Sequence, residues 1–306
     1  MAFIWKGIFP ALTTPFTEKD ELDMVVFKKN LDAQVAAGVE GIILCGTLGE
    51  ASVLTTEEKE KIVKFTIEQL NNSMPVVLNI AEGSTNEALK QADLAKRWGA
   101  HGLMVLPPMR YKSDHRETVS YFKTIAGSTD LPVMIYNNPV DYKIEVTPDM
   151  FDELQVCKNI GAIKESTRDV TNVTRMKNRF GDRFKILCGV DTLALEELLL
   201  GADGWVAGLV CAFPKETVAI YKLVLAGKIN EARKIYRWFM PLLELDIHPK
   251  LVQYIKLAAM QTGLGNEYVR PPRLMLEGEE RKKILEIINE GILTRPNIPN
   301  AGFYDA

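Results

Sequence analysis

Lys164 is the residue of this sequence with the clearest capacity for chemistry. It ends a mostly apolar run, residues 159–164, and a polar stretch follows it. This pattern predicts a buried strand that ends in one ammonium group, although it also fits an exposed lysine just beyond a strand. Burying an unpaired charge costs on the order of several kcal/mol. A buried lysine with a lowered pKa is a nucleophile for carbonyl carbons and can form a Schiff base.

Two other segments carry groups that suit carbonyl chemistry. Residues 45–50, CGTLGE, place Thr47 and Leu48 between two glycines, so the backbone can turn sharply and offer N–H groups and a hydroxyl to a carboxylate. A plain tight turn is the alternative. Residues 136–139, YNNP, place the phenol of Tyr136 before an Asn-Pro turn, where it could relay a proton or simply pack on a neighbour.

Gly189, in residues 188–191 (CGVD), completes the set because a glycine lets a ligand approach the backbone closely. An anion-binding loop, a phenol and an isolated lysine supply carboxylate recognition, proton transfer and carbonyl capture once each. Together they predict a site for a 2-oxo acid, and the combination is more specific than any one of its parts.

These groups must be positioned by strands that end near one another. Near-continuous apolar runs recur along the chain, as in parallel strands that are buried on both faces. We predict strands at residues 7–13, 41–45, 75–80, 102–106, 132–136, 161–164, 185–188 and 204–210. Segments with helical periodicity alternate with them, at residues 23–37, 56–70, 85–98, 116–126, 148–156, 170–180, 192–200 and 214–226.

This alternation predicts a (β/α)8 TIM barrel over residues 1–227. The active site of such a barrel lies at the carboxyl ends of the strands, where the candidate groups fall. A doubly wound open sheet is the alternative, but no G-x-G-x-x-G motif opens a helix after the first predicted strand. Residues 228–306 have no strand pattern, and helical segments at 229–245, 249–262 and 279–289 predict a C-terminal helical appendage.

Composition argues against several classes of protein. The net charge of −3 gives no reason to expect nucleic acid or an anionic membrane as a partner. The sequence has no signal-peptide pattern and no run of about 18 uncharged apolar residues, so no membrane span is expected. The four cysteines form no CxxC pair and the three histidines form no cluster. We therefore expect reduced cysteines, a cytoplasmic protein and no metal site.

The motifs at residues 46–50 (GTLGE), 136–139 (YNNP) and 161–165 (GAIKE), in this order and spacing, resemble those of the dihydrodipicolinate synthase / N-acetylneuraminate lyase family. The resemblance implies a barrel with C-terminal helices, no metal or organic cofactor, and usually a homotetramer. It also implies that Lys164 forms a Schiff base with a 2-oxo acid and that Tyr136 acts as acid and base. It implies further that Thr47 hydrogen-bonds to Tyr136 and that the following loop, with Leu48 and Gly49, binds the carboxylate.

The sequence also departs from this family pattern. Dihydrodipicolinate synthases have Thr-Thr in the loop, where this chain has Thr47-Leu48. They place an arginine after the YNxP motif to bind the carboxylate of a second substrate, where this chain has Asp141. An anion there would repel such a partner, which argues against lysine-biosynthetic activity. They also have a second tyrosine after the fourth strand, and Tyr111 lies at a different spacing here. The GSTGE motif of the lyase subgroup is not matched.

Local patterns at residues 105–114, 136–140, 189–191, 204–208 and 248–256 instead resemble the subgroup that opens and deaminates 1-pyrroline-4-hydroxy-2-carboxylate in hydroxyproline breakdown. We therefore expect a 2-oxo or cyclic 2-imino acid as substrate, with Asp141, Leu48, Met109 and Tyr111 shaping its site. The alternatives are a pyruvate-dependent aldolase of a 2-keto-3-deoxy acid, a dihydrodipicolinate synthase-like lyase and a non-catalytic 2-oxo acid sensor. The joint presence of a lysine, a phenol and a threonine argues against a sensor.

Overall fold

The computed structural model describes residues 3–108 and 111–298. Within them, eight parallel strands form one sheet in the order β1-β8-β7-β6-β5-β4-β3-β2. A bridge between Ala11 and Ile43 brings the two ends of the sheet together, so the sheet closes into a barrel. The predicted (β/α)8 TIM barrel is confirmed. The strands are β1 Gly7–Pro10, β2 Ile42–Leu44, β3 Val76–Ile80, β4 Gly102–Val105, β5 Val133–Asn137, β6 Ile160–Glu165, β7 Lys185–Cys188 and β8 Gly204–Ala207.

Helices cover the outside of this barrel and continue beyond its last strand. In the described residues they are α1 Met24–Ala37, α2 Thr56–Leu70, α3 Thr85–Trp98, α4 His115–Gly127, α5 Pro139–Tyr142, α6 Pro148–Leu154, α7 Thr171–Phe180, α8 Ala194–Leu199, α9 Pro214–Leu225, α10 Ile229–Leu243, α11 Leu251–Gln261 and α12 Gly278–Leu293. None of them is long and apolar enough to cross a membrane.

Local sequence sets where several of these helices begin and end. Thr55 caps α2, and Glu58 returns the bond to the backbone of Thr55. Asp114 and Glu117 make the same reciprocal pair at the start of α4. Such pairs satisfy two of the N–H groups that a helix start leaves free. Gly38 ends α1 in the left-handed conformation, where a glycine avoids the steric cost that a side chain would meet.

The strands are held by burial on both faces. All residues of β1, β3, β5 and β8 are buried. Phe9 and Trp205 are fully covered. Where β1 meets β8, a side chain at Gly204 would lie 2.8 Å from the backbone nitrogen of Gly7, so only glycine fits. Removal of this apolar surface from water is the main force that closes the barrel.

Two predicted strands are longer than the observed ones. The strand predicted at residues 7–13 ends at Pro10, and the one predicted at residues 204–210 ends at Ala207. After Ala207 the N–H groups of Gly208 and Leu209 turn to the carboxylate of Asp191, at 3.1 and 2.8 Å, and a 3-10 turn follows. Apolar composition alone could not reveal that these N–H groups bond to a buried carboxylate instead of to a neighbouring strand. The short helix α5 was also not predicted.

The helices of the carboxyl-terminal region pack on the barrel. α10 packs against α9 and α12, and α11 packs against α12. From α11 the ammonium group of Lys256 reaches the carboxylate of Glu50 at 2.5 Å and the carbonyl oxygen of Tyr268 at 2.6 Å. Lys256 and Glu50 are both buried, and burial lowers the pKa of Lys256 to about 8. This ion pair ties α11 to the loop that follows β2.

Glu197 in α8 is a buried carboxyl group that should make stability depend on pH. One of its oxygens has no hydrogen-bond partner in the described residues. Burial and, next, the charge of Glu165 raise the pKa of Glu197 to about 8. In the unfolded chain the group ionises near its ordinary value of about 4.3. Between these values the folded state holds a proton that the unfolded state releases, so folding stability falls as pH rises.

We expect Glu197→Gln to remove this dependence. The free energy of unfolding of the wild type, relative to the variant, should fall by about 1.4 kcal/mol for each pH unit between about pH 5 and pH 8. Urea unfolding at several pH values measures it. Glu196→Gln, at the exposed neighbouring position, is the control and should follow the wild type. Parallel pH profiles for wild type and E197Q would contradict a protonated Glu197.

Candidate active site

A cavity opens at the carboxyl ends of the strands, where a TIM barrel carries its active site. It is lined by Ala11, Gly46, Thr47, Leu48, Met104, Tyr136, Asn138, Asp141, Tyr142, Lys164, Ser166, Arg168, Gly189, Val190, Val206, Gly208, Asp246, Ile247 and Leu251. The structure therefore brings together most of the residues that the sequence suggested.

Two predicted substrate-binding residues do not line this cavity. Tyr111 has 56% of its surface exposed and lies away from the lining. Gly49 is buried beneath the loop, where its carbonyl oxygen accepts a hydrogen bond of 2.8 Å from the hydroxyl of Thr14. Gly49 thus shapes the turn rather than facing the cavity. Met109 lies outside the described residues.

Lys164 stands at the end of β6, buried beside Tyr136. The two residues are register partners on neighbouring strands, so their side chains leave the same face of the sheet. Only 8% of Lys164 is exposed, and its ammonium nitrogen lies 4.0 Å from the centre of the Tyr136 ring. Burial lowers the pKa of Lys164, although the nearby groups of Tyr142, Asp246 and Asp191 oppose the shift. The arrangement favours the neutral amine that attacks carbonyl carbons.

Gly189, at the end of β7, makes room for the lysine. A Cβ at this position would lie 2.7 Å from Cγ and 2.8 Å from Cε of Lys164, and would also collide with Ser166. The sequence suggested that Gly189 admits a ligand to the backbone. The structure adds that the space next to Gly189, which a side chain would fill, is occupied by the side chain of Lys164.

Tyr136 keeps its proton in this setting. Its hydroxyl oxygen accepts a hydrogen bond of 3.2 Å from the side-chain amide of Asn138. Burial raises the pKa of Tyr136 to about 12. The same amide nitrogen donates to Asp141 at 2.7 Å, so Asn138 fixes both a phenol and a carboxylate at the mouth of the barrel. A protonated phenol beside the amine can donate its proton and, once it is a phenolate, take one back.

Thr47 pairs with a different phenol from the one expected. Its hydroxyl lies 2.7 Å from the hydroxyl of Tyr142, so the expected bond between Thr47 and Tyr136 is wrong for this structure. The reason is the helix α5, a single turn started by Asn138 and Pro139, which carries Tyr142 back over the cavity. The rings of Tyr136 and Tyr142 meet edge to face with centroids 5.5 Å apart. An Asn-Pro-x-Asp sequence is a helix-start signal, and it could have indicated this turn.

The loop after β2 is held in a strained shape. Cys45 and Glu50 both have positive φ angles, 56° and 54°. Such angles cost non-glycine residues on the order of 1–3 kcal/mol and persist only where the surroundings fix them. Glu50 is fixed by Lys256 and by the backbone N–H of Arg270 at 3.1 Å.

The same loop has backbone N–H groups that could hold a ligand. In the described part of the chain, the N–H groups of Thr47 and Leu48 donate no hydrogen bond, which leaves them available to an anion.

Asp191 is a buried carboxylate that sequence reasoning missed. It accepts hydrogen bonds from the indole of Trp205 at 2.8 Å and from the N–H groups of Gly208 and Leu209. Burial raises its pKa, while these donors and the charge of Lys164 oppose the shift. The residue joins the end of β7 to the end of β8 next to the lysine. Its position after Gly189 was noted in the sequence, but nothing there distinguished it from a surface aspartate.

Arg168 and Asp246 are two further charged residues that line the cavity and were not predicted. Arg168 follows β6 and holds a φ of 65°, a conformation that favours glycine. Asp246 comes from a 3-10 turn, Glu244–Ile247, at the end of α10. Sequence patterns could not place it here, because the turn reaches the cavity only through the packing of the carboxyl-terminal helices.

Comparison with known proteins assigns the chain to a family. The profile of the dihydrodipicolinate synthetase family matches residues 4–291. The chain belongs to this family. It is therefore an enzyme of the lyase class.

Individual relatives match along almost the whole chain. The 4-hydroxy-tetrahydrodipicolinate synthase of Aquifex aeolicus is 30% identical over 288 residues, covering 94% of this chain and 98% of the relative. The crystal structure of dihydrodipicolinate synthase from Aquifex aeolicus has a TM-score of 0.89 at 30% identity, covering 96% of this chain and 100% of that one. YagE, a prophage protein from E. coli K12 solved with pyruvate, has a TM-score of 0.88 at 26% identity, covering 95% and 99%.

We expect Gly189→Ala to slow the capture of a 2-oxo acid by Lys164 by at least about 10-fold, because the new methyl group displaces the lysine. Borohydride trapping of pyruvate, followed by mass spectrometry, measures it. Gly127→Ala is the control, since a Cβ there meets no atom within 4 Å. Equal trapping rates in G189A and the wild type would contradict the steric role of Gly189.

We expect Tyr142→Phe to slow proton transfer rather than capture. The change leaves the hydroxyl of Thr47 without its partner but leaves the lysine in place. Exchange of the methyl protons of pyruvate with deuterium, followed by NMR, should slow by about 10-fold or more, while borohydride trapping stays near the wild-type rate. Tyr254→Phe, which loses a phenol bond to Glu280 on α12, is the control. Unchanged exchange in Y142F would remove Tyr142 from the proton path.

Proposed function

We propose that the chain is a 1-pyrroline-4-hydroxy-2-carboxylate deaminase that works through a Schiff base on Lys164. The observation that carries the proposal is the buried lysine, whose pKa is lowered, at the base of a cavity that also contains Tyr136. A neutral amine in this position can capture a 2-oxo acid or a cyclic 2-imino acid. The complex of the relative YagE with pyruvate supports a 2-oxo acid as ligand.

The acidic groups at the cavity mouth favour the deaminase over a dihydrodipicolinate synthase. Asp141 lies on the lining, where the family pattern has an arginine for the carboxylate of a second substrate. Asp246 adds another carboxyl group. An anion at Asp141 repels a second carboxylate, and two carboxyl groups at the mouth suit a substrate that releases an amino group during the reaction. The relatives named 4-hydroxy-tetrahydrodipicolinate synthase favour the synthase, which is therefore the second candidate.

The first step opens the ring. The neutral amine of Lys164 attacks C2 and forms an iminium bond to it. The ring nitrogen gains two protons, one from the attacking amine and one from the phenol of Tyr136, and leaves C2 as a free amine. The N–H groups of Thr47 and Leu48 bind the carboxylate on C2. Holding the carboxylate fixes the position of C2 against the lysine, and such positioning contributes much of the rate.

The iminium group then acidifies the hydrogens on C3. Tyr136, left as a phenolate by the ring opening, accepts one of these protons, and the bond between Thr47 and Tyr142 shapes its surroundings. The hydroxyl on C4 leaves as water and a double bond forms between C3 and C4. Proton shifts move the unsaturation to the carbon that bears the amine and convert it into an imine. Hydrolysis of both imine bonds releases ammonia and 2-oxoglutarate semialdehyde and frees Lys164.

The organisation of the chain is part of the same proposal. We propose a barrel domain at residues 1–227, which carries the site, and a helical region at residues 228–306; the structure describes residues 3–108 and 111–298 of them. Assembly as a homotetramer is proposed from the family resemblance. Because one relative of known structure is a monomeric dihydrodipicolinate synthase variant, light scattering is the direct measurement of the assembly.

Ammonia release from 1-pyrroline-4-hydroxy-2-carboxylate tests the function. We expect the wild type to release ammonia, Lys164→Ala to release none, and Tyr136→Phe to be slower by about 10²–10⁴-fold. Lys158→Ala is the control, since this exposed lysine precedes the same strand. Full activity of K164A would end the Schiff-base mechanism.

Other outcomes separate the alternatives. Pyruvate among the products of a 2-keto-3-deoxy acid, without ammonia from the pyrroline, would identify an aldolase. Condensation of pyruvate with aspartate semialdehyde would identify the synthase named for the relatives. Borohydride trapping on Lys164 without turnover of any of these compounds would leave a 2-oxo acid sensor.

A further inference from the structure

Asp246 reaches the cavity from outside the barrel. The 3-10 turn Glu244–Ile247 follows α10 and packs beside the turn Asp191–Leu193, so its carboxyl group enters over the end of β8. Gly208 leaves the space that this group occupies: a Cβ there would lie 3.0 Å from Cγ of Asp246 and would collide with its Oδ1. Asp246 remains partly exposed, as expected of a side chain that faces a cavity.

The surroundings of Asp246 favour its protonated form. Burial raises its pKa well above the usual range, the charge of Asp191 raises it further, and Lys164 opposes the shift. When Lys164 is a neutral amine this opposition is absent, and it returns with the charge of the iminium group. A carboxyl group with a raised pKa holds its proton more firmly and can act as a proton donor, as in other enzymes that hold carboxyl groups in poorly solvated sites.

The other carboxyl groups near the lysine are less suited to this task. Asp191 is fully buried and already accepts hydrogen bonds from Trp205, Gly208 and Leu209. Asp141 is exposed and accepts a bond from Asn138. Among the described residues that line the cavity, Asp246 is thus the acid that is both open to the cavity and poorly solvated.

We propose that Asp246 is the catalytic acid that protonates the hydroxyl group as it leaves the Schiff-base intermediate. The inference rests on the proposed function, because it concerns the step in which the substrate loses water. In that step the hydroxyl leaves C4, two carbons from the iminium carbon C2. Hydroxide is a poor leaving group at neutral pH, so this step needs a proton donor close to the oxygen.

The step balances in atoms and charge. The C3–H bond breaks and its proton passes to the phenolate of Tyr136, which gave up its own proton when the ring opened, while the electron pair forms the double bond between C3 and C4. The C4–O bond breaks, its electron pair stays on oxygen, and the proton of Asp246 completes a water molecule. Asp246 is left as a carboxylate beside the iminium charge and regains a proton from solvent before the next turnover.

Asp246→Asn tests the role, because asparagine keeps the shape of the side chain but cannot give up a proton. Glu244→Gln is the matched control: it makes the same exchange of a carboxyl group for an amide in the same turn, at an exposed position. Each protein is given pyruvate with borohydride, to measure capture by Lys164. Each is then given 1-pyrroline-4-hydroxy-2-carboxylate, to measure ammonia release and, after a borohydride quench, the mass of the adduct on Lys164.

We expect D246N to trap pyruvate like the wild type, to release ammonia at least about 100-fold more slowly, and to accumulate an adduct heavier by one water than that of the wild type. E244Q should match the wild type in all three. Ammonia release at the wild-type rate would overturn the proposal. So would a folded D246N that no longer traps pyruvate, since Asp246 would then position the lysine.

A wild type that traps pyruvate but releases no ammonia would reject the proposed deaminase function separately. A 4-hydroxy-2-oxo acid then takes the place of the pyrroline, because it carries the same hydroxyl on the same carbon. Loss of water from it in the wild type but not in D246N would sustain the role of Asp246. Equal loss in both proteins, or loss in neither, would overturn it.

Discussion

The site depends on keeping one amine out of water beside several acidic groups. Lys164 is buried at the end of β6, and burial lowers its pKa against the pull of Asp191 and Asp246. If these carboxyl groups were fully ionised and close, they would hold the proton on the lysine and abolish its nucleophilicity. The structure avoids this by burial: desolvation raises the pKa of both carboxyl groups as it lowers that of the amine. The same exclusion of water thus shifts all three pKa values toward the uncharged forms.

This arrangement needs rigid support, because an amine and a carboxyl group that relax into contact would form an ordinary ion pair. Asp191 is held by donors from β8 and the turn after it. Glu50, at the end of the loop after β2, is held by Lys256 from α11. Breaking a buried pair of this kind costs about 3–5 kcal/mol, because it leaves a charge without a partner. The carboxyl-terminal helices therefore do more than cover the barrel, since they fix the loop after β2 and deliver Asp246 to the cavity.

The sequence predicted the parts of the molecule that depend on local pattern. Continuous apolar runs identified all the barrel strands, because strands buried on both faces leave little room for polar residues. Lys164 was recognised because burying a lysine at the end of such a run costs free energy, which suggests a functional role. By contrast, the partner of Thr47 depends on the path of α5, and the place of Asp246 depends on how α10 packs. Contacts between residues far apart in sequence leave no periodic signal, so Tyr142, Asp191 and Asp246 required the structure.

The residues typical of the family and the residues expected to select the substrate lie in different parts of the site, the first on strands and the second on turns. Lys164 and Tyr136 lie on adjacent strands whose register is fixed by the whole barrel, so a change there would disturb the fold as well as the chemistry. Asp141, Tyr142 and Asp246 lie on short turns outside the strands. Turns can change sequence without altering barrel closure, because their backbone is not part of the ladder. The lysine can therefore be kept while the charge at the cavity mouth changes. Under the proposed mechanism the acidic turns, rather than the lysine, would determine which reaction follows the formation of the Schiff base.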